Sequence, residues 1–364
     1  MLEDPALEAT AFWVDAPGVG SLRRHPVPGP GVGEVLVRTL YTGISRGTEA
    51  SVFLGRVPRS ERQRMRAPFQ DGDFPGPVKY GYLNVGVVER GPQALLGRTV
   101  FTLFPHQSVF VVPADAVVPV PPEVPARRAV LTGAVETALN VLWDAAPLLG
   151  DRIAVIGAGT IGCCVARLAA GIPGADVTLI DIDPSCRMLA ERLGVRFALA
   201  NAAQHTASAD HQVVIDASGS ASGLQLALRL AATEGEVIEA GWFGDREVTL
   251  RLGEDFHSRR LSLRSSQVGM VAPRRRGSHT NHERLTLAMK LLEDPAFDAV
   301  LGAQSDSTEL PQVMARLAAG PAGARSGEGG TGRPSPYGPC HTIRWSPPAV
   351  ATSSTDDALG GDAA

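Results

Sequence analysis

The hexapeptide Gly157-Ala158-Gly159-Thr160-Ile161-Gly162 constrains this chain more than any other stretch. It follows the apolar run Ile153-Ala154-Val155-Ile156 and opens Cys163-Cys164-Val165-Ala166-Arg167-Leu168-Ala169-Ala170, so a strand, a tight turn and a helix are predicted in that order. A second β-like run, Val177-Thr178-Leu179-Ile180, ends in Asp181, 24 residues beyond Gly157. A βαβ unit needs that spacing to place a diphosphate on the N–H groups of a helix N-terminus while a carboxylate reaches the neighbouring ribose. Gly157, Gly159, Thr160, Ile161 and Gly162 are the expected dinucleotide cradle, Asp181 the ribose ligand, and Ser218 a further contact beyond a later strand. A carboxylate accepts hydrogen bonds from ribose hydroxyls and repels a 2′-phosphate, which favours NAD over NADP. Asp183 adds a second negative charge nearby, and Asp183-Pro184-Ser185 also reads as a helix cap.

Length and composition bound the rest. A chain of 364 residues with 44% hydrophobic and 20% charged residues has room for two globular domains. A net charge of −4 gives no general attraction to nucleic acid or to an anionic membrane, so a small molecule is the expected partner. Met1-Leu2-Glu3-Asp4-Pro5 lacks the basic start and apolar core of a signal peptide, and no 18-residue apolar segment occurs, so a cytoplasmic location is expected. Cys163, Cys164, Cys186 and Cys340 form no CxxC pair and read as buried thiols.

From about residue 10 to 120 the chain alternates short β-like runs, such as 34–39, 85–89, 99–102 and 108–112, with Gly and Pro turns, which predicts a compact β-barrel-like domain. Pro119, Pro121, Pro122 and Pro125 punctuate a boundary before a helix around 134–142. Beyond the glycine turn, runs at 213–216, 224–232 and 236–240 continue the pattern of a parallel, doubly wound sheet with helices on both faces. Residues 322–339 are rich in Gly, Ser, Arg and Pro and are expected to be disordered, 340–345 to form a short strand, and 346–364 to be a tail.

Tyr41-Thr42-Gly43-Ile44-Ser45, Gly55-Arg56-Val57-Pro58, the stretch 81–88, Phe110-Val111-Val112-Pro113-Ala114 and the glycine turn together resemble the medium-chain dehydrogenase/reductase (alcohol dehydrogenase-like) superfamily over about residues 10–320. The resemblance implies an α/β protein: a GroES-like β-barrel-type catalytic domain at 1–125, rejoined by about 271–345, and a Rossmann doubly wound parallel-sheet NAD-binding domain at 126–270. Cys340 to Trp345 would be the final barrel strand, making 325–339 an unusual insertion or the mark of an altered reading frame. It also implies a homodimer, with an edge strand near Val268 to Val271 as the seam.

The zinc-dependent branch of the family carries a cysteine, a histidine, and a cysteine or acid at places held here by Ser45 or Arg46, Tyr82 and Thr132, and no four-cysteine lobe is present. Zinc prefers thiolate, imidazole and carboxylate ligands, so a zinc-free enzyme with no metal is expected. Protonic donors must then stabilise the oxygen of a carbonyl that receives hydride. The resemblance puts Ser45, Glu49, Tyr82, His106 and Glu136 at the catalytic cleft, with Tyr82 the first candidate proton donor and His106 and Glu49 behind it. Arg46, Arg62 and Arg66 are candidates to hold an anionic substrate, as planar arginine forks suit carboxylate and phosphate, although a charge run is equally readable as solvated surface. The expected function is NAD(H)-dependent, zinc-independent hydride transfer between nicotinamide and an alcohol or carbonyl carbon. The alternatives are reduction of an activated C=C bond, as in the enoyl and quinone reductases of the family, and a non-catalytic NAD(H)-binding sensor or structural protein.

Overall fold

The computed structural model describes residues 7–206, 210–319 and 339–345. The expected disorder at 322–338 and the expected tail at 346–364 lie outside the described residues.

Short strands separated by turns fill the first third of the chain and pair antiparallel there. In order these elements are β1 (Leu7–Ala16), β2 (Val19–Val27), β3 (Glu34–Ile44), helix α1 (Arg46–Phe53), β4 (Asp71–Gly72), β5 (Val78–Lys79), β6 (Asn84–Arg90), β7 (Thr99–Thr102), β8 (Val109–Pro113) and β9 (Val117–Pro119). One sheet runs β2-β1-β5-β4. The others join a sheet organised on β3, whose length lets it pair β6 and β8 along one stretch of chain.

The second part begins with α2 (Ala126–Ala129) and α3 (Thr132–Ala145) and then alternates strand and helix. It comprises β10 (Arg152–Ile156), α4 (Thr160–Ala170), β11 (Asp176–Asp181), α5 (Cys186–Leu193), β12 (Arg196–Leu199), α6 (Ala200–Thr206), β13 (His211–Asp216), α7 (Ala221–Leu230), β14 (Ala231–Glu239) and β15 (Ser262–Ser265). These six strands pair in parallel in the order β12-β11-β10-β13-β14-β15. That is the doubly wound order whose chain reverses direction across the sheet between β10 and β13. Ile153, Ala154 and Val155 of β10 are fully buried because helices cover both faces, which is why the run carries no polar alternation.

The chain then forms α8 (Asn281–Leu291), β16 (Leu301–Asp306), α9 (Leu310–Ala319) and β17 (Cys340–Arg344). β17 lies antiparallel to β3, with His341 opposite Ile44 and Arg344 opposite Tyr41, and β16 extends the same sheet. Thus the end of the described chain rejoins the β-rich part. The return starts later than the sequence suggested, because Leu285, Ala288, Met289 and Leu292 pack into the core shared with α3 and α4. Residues 271–300 therefore stay with the parallel sheet, and the crossing back is made at β16.

A second correction concerns the sheet edge. The last strand is β15, and 266–271 run on without pairing to a strand. Ser266 N donates to Glu239 O and Met270 N to Gln267 O, Val268 O accepts from Arg284, and the following Ala272 N donates to Asn140 Oδ1. A seam at Val268 to Val271 is therefore not available as a strand edge. Among the described residues no helix is long and apolar enough to cross a membrane.

Candidate functional site

The turn between β10 and α4 is closed by contacts that only glycine permits. Gly157 sits at φ +96°, and a Cβ there would lie 2.8 Å from the backbone of Ser218. At Gly162 a Cβ would fall 1.8 Å from Gly157 O, so the helix can approach the strand end only without a side chain. Gly159 differs: its Cβ direction is open, with nothing within 4 Å. The first N–H groups of α4 thus face an open crevice at the point where the sheet reverses its strand order, the place at which such sheets bind anionic ligands. Asp181 ends β11 on the rim of this crevice, where Oδ2 accepts from Ala158 N at 2.6 Å and Oδ1 from Asp183 N at 2.9 Å. Each carboxylate oxygen retains a lone pair for a ribose hydroxyl. Ser218 closes the other side, and Ile161 turns inward to the core.

The β-rich part meets this crevice at two points. Thr160 Oγ1 donates to Pro339 O at 2.5 Å, which ties the first turn of α4 to the residue leading into β17. On the far side Trp242, just past β14, packs on the cluster containing Ile44, Tyr80, Tyr82 and Trp345. The N-terminus of α1, with Ser45, Thr48 and Glu49, lies beside Tyr82.

Tyr82 is half-buried and its phenol is pushed up to about 12, first by burial and then by the charge of Glu49. The side chains of Ser45 and Thr48 face its oxygen and act in the opposite, weaker sense. At ordinary pH Tyr82 therefore keeps its proton and can donate it.

Glu49 and His106 do come together, but away from the crevice surface. His106 Nε2 lies 2.8 Å from Glu49 Oε2 and Nδ1 lies 2.7 Å from Thr42 Oγ1, with His106 only 1% and Glu49 3% exposed. The indole N–H of Trp345 donates to Thr42 Oγ1 at 3.1 Å. An ionised carboxylate can only accept, so Nε2 carries the proton that faces Glu49, while the Thr42 hydroxyl, which accepts from Trp345, can exchange a hydrogen bond with Nδ1 in either direction. The other oxygen of Glu49 accepts from Ser45 N at 2.8 Å. The set Trp345-Thr42-His106-Glu49 therefore fixes the backbone at Ser45, and both ring nitrogens of His106 are already used. His106 and Glu49, expected from the sequence at the catalytic cleft, are thus both buried and hydrogen-bonded within the protein.

Four other candidates remain to be placed. Glu136 is buried against Arg284, with Oε1 2.9 Å from Nη2, and does not face Tyr82. Arg66 spends its guanidinium on Gly72 O, Gln70 O and the Asp73 carboxylate, so it holds its own loop and is not free for a substrate anion. Arg62 is half-buried, and its Nε has no hydrogen-bond partner among the described residues. Arg46 is exposed at the first position of α1, next to Ser45.

Comparison with known proteins bears on this arrangement. Residues 160–294 match the family model described as zinc-binding dehydrogenase. A proposed zinc-binding dehydrogenase from Sinorhizobium meliloti, bound to NADP, shares the fold at a TM-score of 0.70 with 18% identity, over 93% of this chain and 99% of that one. An alcohol dehydrogenase from Escherichia coli complexed with NADH gives 0.70 at 16% identity, over 93% and 99%. The chain has the medium-chain dehydrogenase/reductase fold. A thermostable alcohol dehydrogenase from Pyrobaculum aerophilum has it too, at a TM-score of 0.69 and 20% identity over 93% of this chain and all of that one. No curated protein sequence gives a match.

The name of the matching family raises the question of zinc. The sequence resemblance puts the metal's ligands where this chain has Ser45 or Arg46, Tyr82 and Thr132. Those side chains offer alcohols or a guanidinium cation and a phenol, and Thr132 Oγ1 already donates to Ala129 O at 2.6 Å. Among the described residues no group of three or more His, Cys, Asp or Glu could hold a metal ion. The donor set at this place does not fit zinc, which takes thiolate, imidazole or carboxylate. The glycine turn, by contrast, fits a dinucleotide: open at Gly159, closed at Gly162, and flanked by an acid.

Trp242, Thr42, Trp345 and Pro339 escaped the sequence reading. Trp242 and Trp345 carried a usable signal, since a large aromatic directly after a predicted strand often packs across a domain junction. Thr42 and Pro339 carried none, because their roles depend on neighbours 64 and 179 residues away.

Proposed function

We propose that this protein is an NAD(H)-dependent oxidoreductase that interconverts an alcohol and a carbonyl without zinc, with Tyr82 as the proton donor. Two observations support this reading: a half-buried Tyr82 whose phenol, beside Ser45 and Thr48, is pushed up to about 12 by burial, and a glycine turn shaped for a dinucleotide. The turn and the N-terminus of α4 would hold the coenzyme diphosphate, and Asp181 the adenosine ribose. A bound nicotinamide supplies or accepts the hydride. Tyr82 Oη holds the proton that a carbonyl oxygen gains as its carbon is reduced, and Ser45 and Thr48 stand beside that oxygen to accompany its loss and return. Trp345, Thr42, His106 and Glu49 keep Ser45 in place for this. Arg46, at the exposed end of α1, would meet an anionic group on coenzyme or substrate.

Turnover of NADH against a panel of ketones, aldehydes and enones tests the reading. Tyr82→Phe is expected to lower kcat about 10²- to 10³-fold while NADH affinity, read by fluorescence, stays as it was. Undiminished turnover in that variant would remove Tyr82 from the chemistry, and an enone-only panel response would move the reaction to C=C reduction. Asp181→Ala is expected to weaken NADH binding about tenfold and to narrow the gap between NADH and NADPH. An unchanged preference would show that Asp181 serves only the Ala158 and Asp183 amides.

A further inference from the structure

β13 and β14 end side by side on two acids, with Asp216 opposite Glu239 in the parallel register. Asp216 is fully buried. One oxygen of each acid is used locally: Asp216 Oδ1 accepts from Ser218 N at 2.9 Å, and Glu239 Oε1 from Gly241 N at 2.5 Å. The other two, Asp216 Oδ2 and Glu239 Oε2, are buried and make no hydrogen bond of good geometry to the protein; the Ser218 hydroxyl faces the Asp216 carboxyl, and the two carboxyls face each other. Two ionised carboxylates in that position would repel in a poorly solvated place, and two buried acceptors would go unsatisfied. A single proton between them removes both penalties.

The place gives the pair its consequence. The amides held by Asp216 and Glu239 begin the loops 217–220 and 240–244, and these loops touch, a Cβ on Gly241 falling 2.9 Å from Gly219. The first loop supplies Ser218 against Gly157, and the second supplies Trp242 against the β-rich part. We propose that Asp216 and Glu239 share one proton, and that this proton holds the two loops together as one wall of the dinucleotide crevice, so that coenzyme affinity falls when it is lost. Glu239 and Asp216 are thus positioning residues for the coenzyme, a role that rests on the dinucleotide reading above.

The surrounding charges leave the pair to itself. Arg246, beyond β14, donates to Gly219 O; Arg264 on β15 is engaged by Glu236 and by Asp144 O; Asp144 on α3 accepts from Ser266; and Asp181, at the end of β11, accepts from Ala158 and Asp183. None of these is hydrogen-bonded to either carboxyl among the described contacts. Burial and then the charge of Asp216 push the Glu239 carboxyl up to about 9. A raised carboxyl stabilises the folded chain through its protonated form, so that contribution is complete below the ordinary glutamate range and is lost as pH rises through about 9.

NADH titrations read by quenching of tryptophan fluorescence, over about pH 7 to about pH 10, test this in the full chain. The wild-type Kd is expected to rise about tenfold across that range, while Glu239→Gln, which replaces the shared proton with a permanent amide donor, keeps its neutral-pH affinity throughout. A variant that tracks the wild-type pH profile, or a wild type with none, overturns the proposal. Thermal unfolding of the coenzyme-free protein separates this from a failure of the dinucleotide reading. Even if NADH does not bind, the wild-type Tm is expected to fall more steeply than that of Glu239→Gln as pH rises, and parallel curves would again overturn the shared proton. Asp216→Asn, which also leaves one charge and one amide, gives the same flattened profile and serves if Glu239→Gln does not fold.

Discussion

Replacing Arg284 with Met is expected to cost the fold about 3–5 kcal/mol at neutral pH, a large share of a domain's net stability. Arg284 is 1% exposed and joins three pieces of chain. Its guanidinium donates to Glu136 Oε1 at 2.9 and 3.1 Å, to Asn140 Oδ1 at 2.6 Å and to Val268 O at 2.5 Å. Methionine matches much of its volume but leaves the Glu136 carboxylate buried without a cation. Burial already pushes Glu136 upward and Arg284 opposes that, so removing the cation raises the carboxyl further. The variant should therefore regain stability on acidification, because the protonated form persists below the ordinary glutamate range and is lost as pH rises. Urea unfolding at about pH 5 and about pH 8 measures this, and Glu136→Gln in the same chain should restore part of the loss at the higher pH. Equal stability of Arg284→Met and the wild type at both would mean that the pair is dispensable to packing.

This network also shows why part of the candidate site was unreadable in the sequence. Glu136 lies four residues beyond Thr132 and looked like a cleft acid, because nothing within α3 announces a partner 148 residues later. Gly157 to Gly162 and Asp181 were legible because their chemistry is local: glycine where a strand end and a helix start must nearly touch, and an acid one βαβ unit further on. Burial of β10 on both faces likewise wrote itself as an unbroken apolar run. His106, Glu49 and Thr42 fell in the right region, yet whether a histidine faces solvent or a carboxylate is decided by β17, which arrives from the far end of the chain with Trp345. The late return at β16 was hidden for a related reason, as α8 has the pattern of any amphipathic helix and its side of the molecule is settled only by α3.

The same division between local and distant contacts separates what holds the cleft from what would act in it. Three long-range polar contacts end on backbone or on another buried side chain: Thr160 on Pro339 O, Trp345 on Thr42, Arg284 on Val268 O. Tyr82 and the open side of the glycine turn are what those contacts frame.

Two glycines of the turn should therefore fail in different ways. At Gly162 a methyl group would lie 1.8 Å from Gly157 O, a clash with backbone that no rotamer relieves, so Gly162→Ala is expected to push α4 away from β10. The cost is about 1–3 kcal/mol of stability together with coenzyme binding. At Gly159 the backbone has φ −76° and the Cβ direction is empty, so Gly159→Ala should unfold at the wild-type temperature. Its methyl group would nevertheless occupy the space in front of the first N–H groups of α4, where a diphosphate must come within hydrogen-bonding distance. NADH affinity in Gly159→Ala is expected to fall about 10- to 100-fold with no change in Tm, since two or more charge-assisted hydrogen bonds are lengthened or lost. Calorimetric titration with NADH beside a thermal melt reads both quantities on one sample. Wild-type affinity in Gly159→Ala would mean that the crevice above α4 does not receive the diphosphate, whatever the shape of the turn.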